Sequence, residues 1–258
     1  MKNIVLEKFK QNQKTIGTFV QLQSITAMEC LGYSGLDYCI IDMEHSPLNT
    51  EGSERLIAAA QASGITPFVR VSEISRSQIL KMLDAGAQGL IIPCVETVEQ
   101  VQELINYAKY TPIGKRGFCL SRAAGWGYAP HAMGSIEDYM KISNQETLLI
   151  PQCETLGSLE HIEEIIALDG VDGILIGPYD LSIALGKPGQ VDDLEVKQSF
   201  ARILNACKAV NKMCFIYAGS SETANRYFAE GFDSVSIGVD NAVLINGYQN
   251  IVSKIKMI

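Results

Sequence analysis

TPFVRVSEISRSQILKMLDAGAQGLIIP, residues 66–93, decides the fold. It opens on a short β-branched and apolar run, Thr66–Val71, then turns polar. Ile79, Leu80, Met82 and Leu83 follow at helical spacing, Gly86 stands where that helix should stop, and Gly89–Pro93 is a second apolar run. Two strands joined through a helix run parallel, because a parallel return needs a crossover.

The same unit recurs outward in both directions. Strand-like runs lie at Thr15–Val20, Tyr38–Ile41, Thr147–Gln152, Gly173–Ile176, Met213–Tyr217 and Ser234–Ile237. Helical spacing lies between them, as in Leu56, Ile57 and Ala60; Val98, Val101, Leu104, Ile105 and Ala108; and Leu159, Ile162, Ile165 and Ile166. Ser77, Thr97, Ser158 and Ser220 are the expected amino-terminal caps, and Gly64, Gly86, Gly170 and Gly231 the stops. Eight such strands in 258 residues predict an α/β chain folded as one closed (β/α)8 TIM barrel, a single domain over residues 1–258. A Rossmann-like open sheet is the other reading, but no G-x-G-x-x-G follows the first strand. Tyr110–Gln145 and Pro178–Asp193 are longer than a barrel needs, and are expected to shape a pocket on the carboxyl face.

The formal charge of −8 argues against nucleic acid or an anionic membrane as main partner, and 47% hydrophobic with 19% charged residues suits a globular enzyme. Seven cysteines show no CxxC pair, which fits buried thiols in a reducing compartment. The amino terminus is too polar for a signal peptide, and no run reaches the roughly 18 apolar residues of a spanning helix. A soluble cytoplasmic protein is the expectation.

Polar residues gather at the strand exits: Asp42, Glu44 and His45, then Arg70, then Gln152 and Glu154, then Tyr179 and Asp180. On a barrel these exits share one mouth, and this mixture suits a metal-assisted site for an anionic substrate. His45 sits beside two carboxylates, which suits a general base; its position fits equally a histidine packing the strand end. Arg70 needs a carboxylate partner, and a substrate or an internal acid would serve. Glu154 and Asp180, from different strands, can face one cation, and oxygen ligation favours Mg²⁺ or Mn²⁺. Asp180 also reads as a helix cap. No second histidine or cysteine is expected at a comparable position, which disfavours tetrahedral zinc. No lysine lies in the strands or at their exits, so Schiff-base chemistry is disfavoured. Ser220 in Ala218–Ser221 reads as a plain cap or as part of a phosphate-binding helix start.

The chain resembles the class II pyruvate aldolases of the 4-hydroxy-2-oxoheptanedioate and 2-dehydro-3-deoxyglucarate aldolase family. The resemblance runs nearly end to end through IIDMEHSPLNTE, PFVRV, LDAGAQGLIIPCVET, GKRGFCLSRAAGWG, QCET, VDGILIGPYDLSIALGKPGQ and SIGVDNAVL. It implies that Glu154 and Asp180 bind a divalent metal (Mg²⁺, Mn²⁺ or Co²⁺), with no organic cofactor. It implies that Arg70 holds pyruvate and stabilises the enolate. His45 would be the general base, made more basic by Asp84 of a neighbouring subunit, with Gln152, Gly177 and Tyr179 contacting substrate. The implied reaction is reversible cleavage of a 4-hydroxy-2-oxo acid to pyruvate and an aldehyde. Oxaloacetate decarboxylation and non-catalytic binding of 2-oxo acids are the other readings. The implied assembly is a homo-oligomer, trimer or hexamer, in which the amphipathic Val239–Ile258 tail is exchanged; packing on its own barrel is the alternative. Ser46 and Tyr179 depart from the residues common at their positions.

Overall fold

The computed structural model describes residues 2–255. The chain runs α1 (Ile4–Lys10), β1 (Thr15–Val20), α2 (Ile25–Gly32), β2 (Tyr38–Asp42), α3 (Thr50–Ala62), β3 (Thr66–Arg70), α4 (Arg76–Ala85) and β4 (Gly89–Ile92). It continues with α5 (Val98–Ala108), α6 (Ile136–Glu146), β5 (Leu148–Cys153), α7 (Leu156–Glu160), α8 (Ile162–Ala167), β6 (Gly173–Ile176) and α9 (Pro178–Ala184). Then come α10 (Leu194–Ala209), β7 (Met213–Ala218), α11 (Ser221–Glu230), β8 (Ser234–Val239) and α12 (Asp240–Val252). The eight strands pair in parallel, each with its sequence neighbour, and β8 closes onto β1. The barrel expected from the repeated unit is the one found.

Strand periodicity sorts the side chains into two cores. Phe19, Tyr38, Ile40, Phe68, Ile91, Leu148, Ile150, Leu175, Met213 and Phe215 fill the barrel interior. The alternate residues, such as Cys39, Ile41, Val69, Leu90 and Ile174, join the larger core beneath the helices. Tyr38 and Phe68 stack with ring centroids 5.0 Å apart. Their bulk fits only because facing positions lack side chains: a Cβ at Gly17 would overlap the Tyr38 ring, and one at Gly89 would lie 2.5 Å from the Phe68 ring. Val5 of α1 packs into the interior core from the amino end, and buried Asn3 donates to the carbonyls of Gln88 and Glu146.

Several local expectations are corrected. Ser75, not Ser77, caps α4, and Thr155, not Ser158, caps α7; Thr97 and Ser220 cap as expected. The helix expected through Leu159–Ile166 is two short ones that break at His161. Pro178–Asp193 follows β6 on the carboxyl side, as expected. The Tyr110–Gln145 segment is at the other end. α5 has already returned the chain to the amino face before the segment begins, so it covers that face and cannot reach its own barrel's mouth. Arg122 donates to the Ala85 carbonyl at the end of α4, and Lys109 Nζ reaches the Thr147 carbonyl just before β5.

In α12 only Asp240 is buried. Val243, Leu244, Ile245, Tyr248, Ile251 and Val252 are exposed, so α12 does not pack these residues on its own barrel, whereas Val239 just before it packs against the interior core. Residues 256–258 of the tail lie outside the described residues. Among the described residues no helix is long and apolar enough to cross a membrane.

Candidate active site

The inward parity of Tyr38 and Ile40 continues to Asp42, that of Phe68 to Arg70, and that of Leu148 and Ile150 to Gln152 and Glu154. Polar groups therefore replace apolar ones as the barrel interior reaches its carboxyl mouth. Arg70 Nε and Nη2 donate to the two Asp42 carboxylate oxygens, each at 2.9 Å. Asp42 is fully buried and Arg70 is 7% exposed, so each charge depends on the other. Burial alone would raise the Asp42 carboxyl, but the Arg70 hydrogen bonds and charge hold it below its usual range. Burial likewise opposes the Arg70 cation, and Asp42 more than offsets it. Gln21 and the backbone N–H groups of Glu44 and His45 also donate to Asp42. The internal acid is thus the Arg70 partner in this structure. Nη1 points to Glu44 Oε2 at 3.1 Å, and Phe19 lies 4.8 Å below the cation.

Beside Arg70 is an acidic cluster. Glu154 Oε1 accepts from the Cys94 backbone N–H at 2.8 Å, and its Oε2 accepts from Gln152. Cys94 has φ +53°, and its thiol lies 3.8 Å from Glu44 Oε1. Donor atoms of Glu44, Cys94 and Glu154 all lie within 4.8 Å of one another. Burial pushes Glu154 up to about 7, aided by Glu44 and Asp180 and opposed by the Cys94 N–H. Burial, then the charge of Glu154, pushes the Cys94 thiol up to about 11. Glu44 is raised chiefly by burial, against the pull of Arg70. Its Oε2 is buried and makes no hydrogen bond despite the nearby guanidinium, and buried Gln152 Oε1 also has no partner. Crowded, partly desolvated carboxylates with unfilled lone pairs fit a divalent cation.

Gly177, which opens α9, is part of this packing. A Cβ there would lie 2.8 Å from Glu154 Oε2 and 2.9 Å from Gln152 Nε2. Asp180 is in the first turn of α9 and exposed; Gly177, not Asp180, is the cap residue, which removes the capping reading. A cavity of about 210 Å³ joins Asp42, His45, Arg70, Gln152, Gly177 and Asp180 to an apolar wall. Phe19, Tyr179, Tyr217 and Val239 form that wall, and Tyr179 and Tyr217 meet edge to face at 6.1 Å.

His45 is at this mouth and accessible, with Nε2 3.8 Å from Glu44. Asp84 is not: it ends α4 on the amino side and pairs with Arg116 at 2.8 Å. His131 and His161 bond to the Ala123 carbonyl and Glu164, away from the mouth. The expectation that no cysteine occupies a comparable position is overturned by Cys94, two residues past β4. Its signal was present in LIIPC, but a proline before the cysteine hid where the strand ended. Phe19, Gln21 and Tyr217 were also missed, because an aromatic or amide at a strand end reads as core or turn. Ser220 is a plain cap, its hydroxyl taken by the Thr223 N–H.

A closed (β/α)8 barrel with a buried arginine and clustered carboxylates at its carboxyl mouth is the frame of an enzyme for small anions. Residues 15–247 match the family described as HpcH/HpaI aldolase/citrate lyase. A 2-keto-3-deoxy-L-rhamnonate aldolase of Klebsiella pneumoniae is 33% identical, covering 89% of this chain and 84% of that protein. A 2-dehydro-3,6-dideoxy-6-sulfogluconate aldolase of Pseudomonas putida is 30% identical, covering 92% and 91%. The crystal structure of an HpcH/HpaI aldolase from Desulfitobacterium hafniense superposes with a TM-score of 0.90 at 26% identity, covering 98% of this chain and 96% of that one. The chain belongs to the HpcH/HpaI aldolase/citrate lyase family. It is a carbon–carbon lyase of the class II pyruvate aldolase kind, as its sequence resemblance implied.

Proposed function

We propose that the chain cleaves a 4-hydroxy-2-oxo acid reversibly into pyruvate, or a close 2-oxo acid, and an aldehyde at the mouth of its barrel. The observation that carries this is Arg70, locked by Asp42 so that Nη1 faces the Glu44–Glu154 cluster. A 2-oxo acid carboxylate set there meets a fixed donor without reorganisation. Glu154 and Asp180 would hold a divalent cation, Mg²⁺, Mn²⁺ or Co²⁺. That cation would supply positive charge for the keto and carboxylate oxygens of the 2-oxo acid and for the developing enolate. Gln152 and the Gly177–Tyr179 turn orient the same oxygens. His45 takes the proton of the 4-hydroxyl, the C4–O bond becomes the aldehyde carbonyl as the C3–C4 electrons pass into the enolate, and return of that proton to C3 releases pyruvate.

Asp84 is on the amino face of its own barrel, so its role as partner to His45 requires another copy's amino face to cover this mouth. We assign the active form to a homo-oligomer, trimer or hexamer, on that ground and on the bare apolar side of α12. On the aldehyde side the wall of Phe19, Tyr179, Tyr217 and Val239 offers no cation, which favours neutral aldehydes over carboxylated ones. Oxaloacetate decarboxylation and simple 2-oxo acid binding are not favoured for a member of this family. The test is condensation of pyruvate with lactaldehyde, glycolaldehyde and succinic semialdehyde. Activity should vanish with EDTA, return with Mn²⁺ or Co²⁺, and favour the neutral aldehydes, and borohydride with pyruvate should leave no adduct. A borohydride-trapped adduct, or full activity after chelation, overturns the proposal.

A further inference from the structure

We propose that Gln21 is a positioning residue for the 2-oxo acid half of the reaction, aiming Arg70 through Asp42 and tying that aim to the first turn of α12. This rests on the reading of Arg70 as the donor to the 2-oxo acid carboxylate. The inward parity of Phe19 continues to Gln21, one residue past β1, and the register that pairs Val20 with Ile41 sets Gln21 beside Asp42. Gln21 Nε2 donates to Asp42 Oδ2 at 2.9 Å, the same oxygen that accepts from Arg70 Nη2. The other oxygen, Oδ1, accepts from Arg70 Nε and from the backbone N–H groups of Glu44 and His45, at 3.1 and 3.3 Å. Backbone therefore fixes Oδ1. Among the described residues, Gln21 is the only donor to Oδ2 besides Arg70 itself.

Both oxygens must be held to fix the plane of a carboxylate. With Oδ1 pinned, rotation about the Cβ–Cγ bond is stopped at Oδ2, and Arg70 Nη2 follows that oxygen. The guanidinium is a rigid plane, so the direction of Nη1, toward Glu44 Oε2 at 3.1 Å, follows in turn. Gln21 is itself held from its far side. A carboxylate only accepts, which turns Nε2 of the amide toward Asp42 and leaves Oε1 in need of a donor. Asn241 Nδ2 supplies it at 2.9 Å. Asp240, 9% exposed, accepts from the backbone N–H groups of Gln21 and Leu22 at 3.0 and 3.1 Å. Asp240 and Asn241 open α12, the helix whose apolar residues are bare. The seating of that helix and the aim of Arg70 thus share one chain of hydrogen bonds.

The experiment uses the full-length protein with Mn²⁺ and oxalate, a planar dianion with the paired oxygens of a 2-oxo acid enolate, and takes both affinities from calorimetry. Q21M keeps the length of the side chain and removes both of its hydrogen bonds. It should keep the wild-type assembly and Mn²⁺ affinity while binding oxalate about tenfold more weakly. In condensation with lactaldehyde, its KM for pyruvate should rise by about the same factor and its KM for the aldehyde by no more than about twofold. N241A, at a partly exposed position, should weaken oxalate about threefold, and Q21M/N241A no more than Q21M alone, because Asn241 acts through Gln21. Unchanged oxalate affinity in Q21M, an equal loss of Mn²⁺ affinity, or losses that multiply in the double variant overturns the proposal. Crystals of ligand-free Q21M read the aim of Arg70 directly: more than one guanidinium orientation is expected, and the single wild-type orientation overturns the proposal. A wild type that binds no oxalate overturns the 2-oxo acid reading instead, and the crystals then decide alone whether Gln21 aims Arg70.

Discussion

Glu154 is the residue whose protonation the fold changes most consequentially. Its carboxyl moves from an ordinary 4.5 to about 7 because burial and two neighbouring acids penalise the charge. The sign follows from linkage. A folded value above the unfolded one means that the folded state holds the proton more tightly, so this group favours folding fully below about pH 4.5. That contribution is lost as pH rises to 7. The difference amounts to roughly 3 kcal/mol at most. In chelator-treated protein, the stability of E154Q relative to wild type should therefore increase between pH 5 and pH 8, read from urea unfolding at each pH. A difference that stays constant with pH contradicts the shift. At this scale the sequence named Arg70 and Glu154 but left the partner of Arg70 open, because Asp42 reaches it only through the strand register that sets Asp42 beside Arg70.

At the scale of elements, strand periodicity placed the site. Asp42, Arg70, Gln152 and Glu154 share the inward parity of the aromatic and aliphatic residues before them, so a polar mouth was readable from alternation alone. Helix starts were less readable. In SEISRSQ, Ser75 and Ser77 stand two residues apart, and either suits a cap. Gln78 settles the competition: its Oε1 accepts from the N–H groups of Ser72 and Glu73, which fixes the entry of the chain, and its own N–H goes to Ser75. S75A should then cost about 1 kcal/mol of stability, and S77A no more than a few tenths, measured as shifts in melting temperature. Equal shifts contradict the assignment. Cys94 escaped for a similar reason: its left-handed backbone turns the thiol toward Glu44, and nothing in the order of residues announces that turn.

At the scale of the molecule, the Tyr110–Gln145 segment and Asp84 share the amino face, linked through Arg116. A histidine at one end of a barrel and an aspartate at the other can act together only between copies. Co-expressing H45N with D84N subunits should recover part of the activity that each variant lacks alone, because some interfaces then pair an intact His45 with an intact Asp84. No recovery in mixed assemblies, with assembly confirmed by light scattering, separates Asp84 from the chemistry.

Local order decided the class of fold: a strand, a helix and a glycine stop, repeated with short connections, leave a parallel barrel as the economical way to bury both faces of every strand. The order of residues also decided which side chains reach the mouth, since a strand alternates its faces with no help from elsewhere. Tertiary structure alone decided which acid neutralises Arg70, that a cysteine joins the carboxylates, and which end of the barrel the long segment covers. Those depend on register across strands, on one left-handed residue and on the sense in which α5 returns the chain. Each is a relation between distant parts of the chain, which no local pattern encodes.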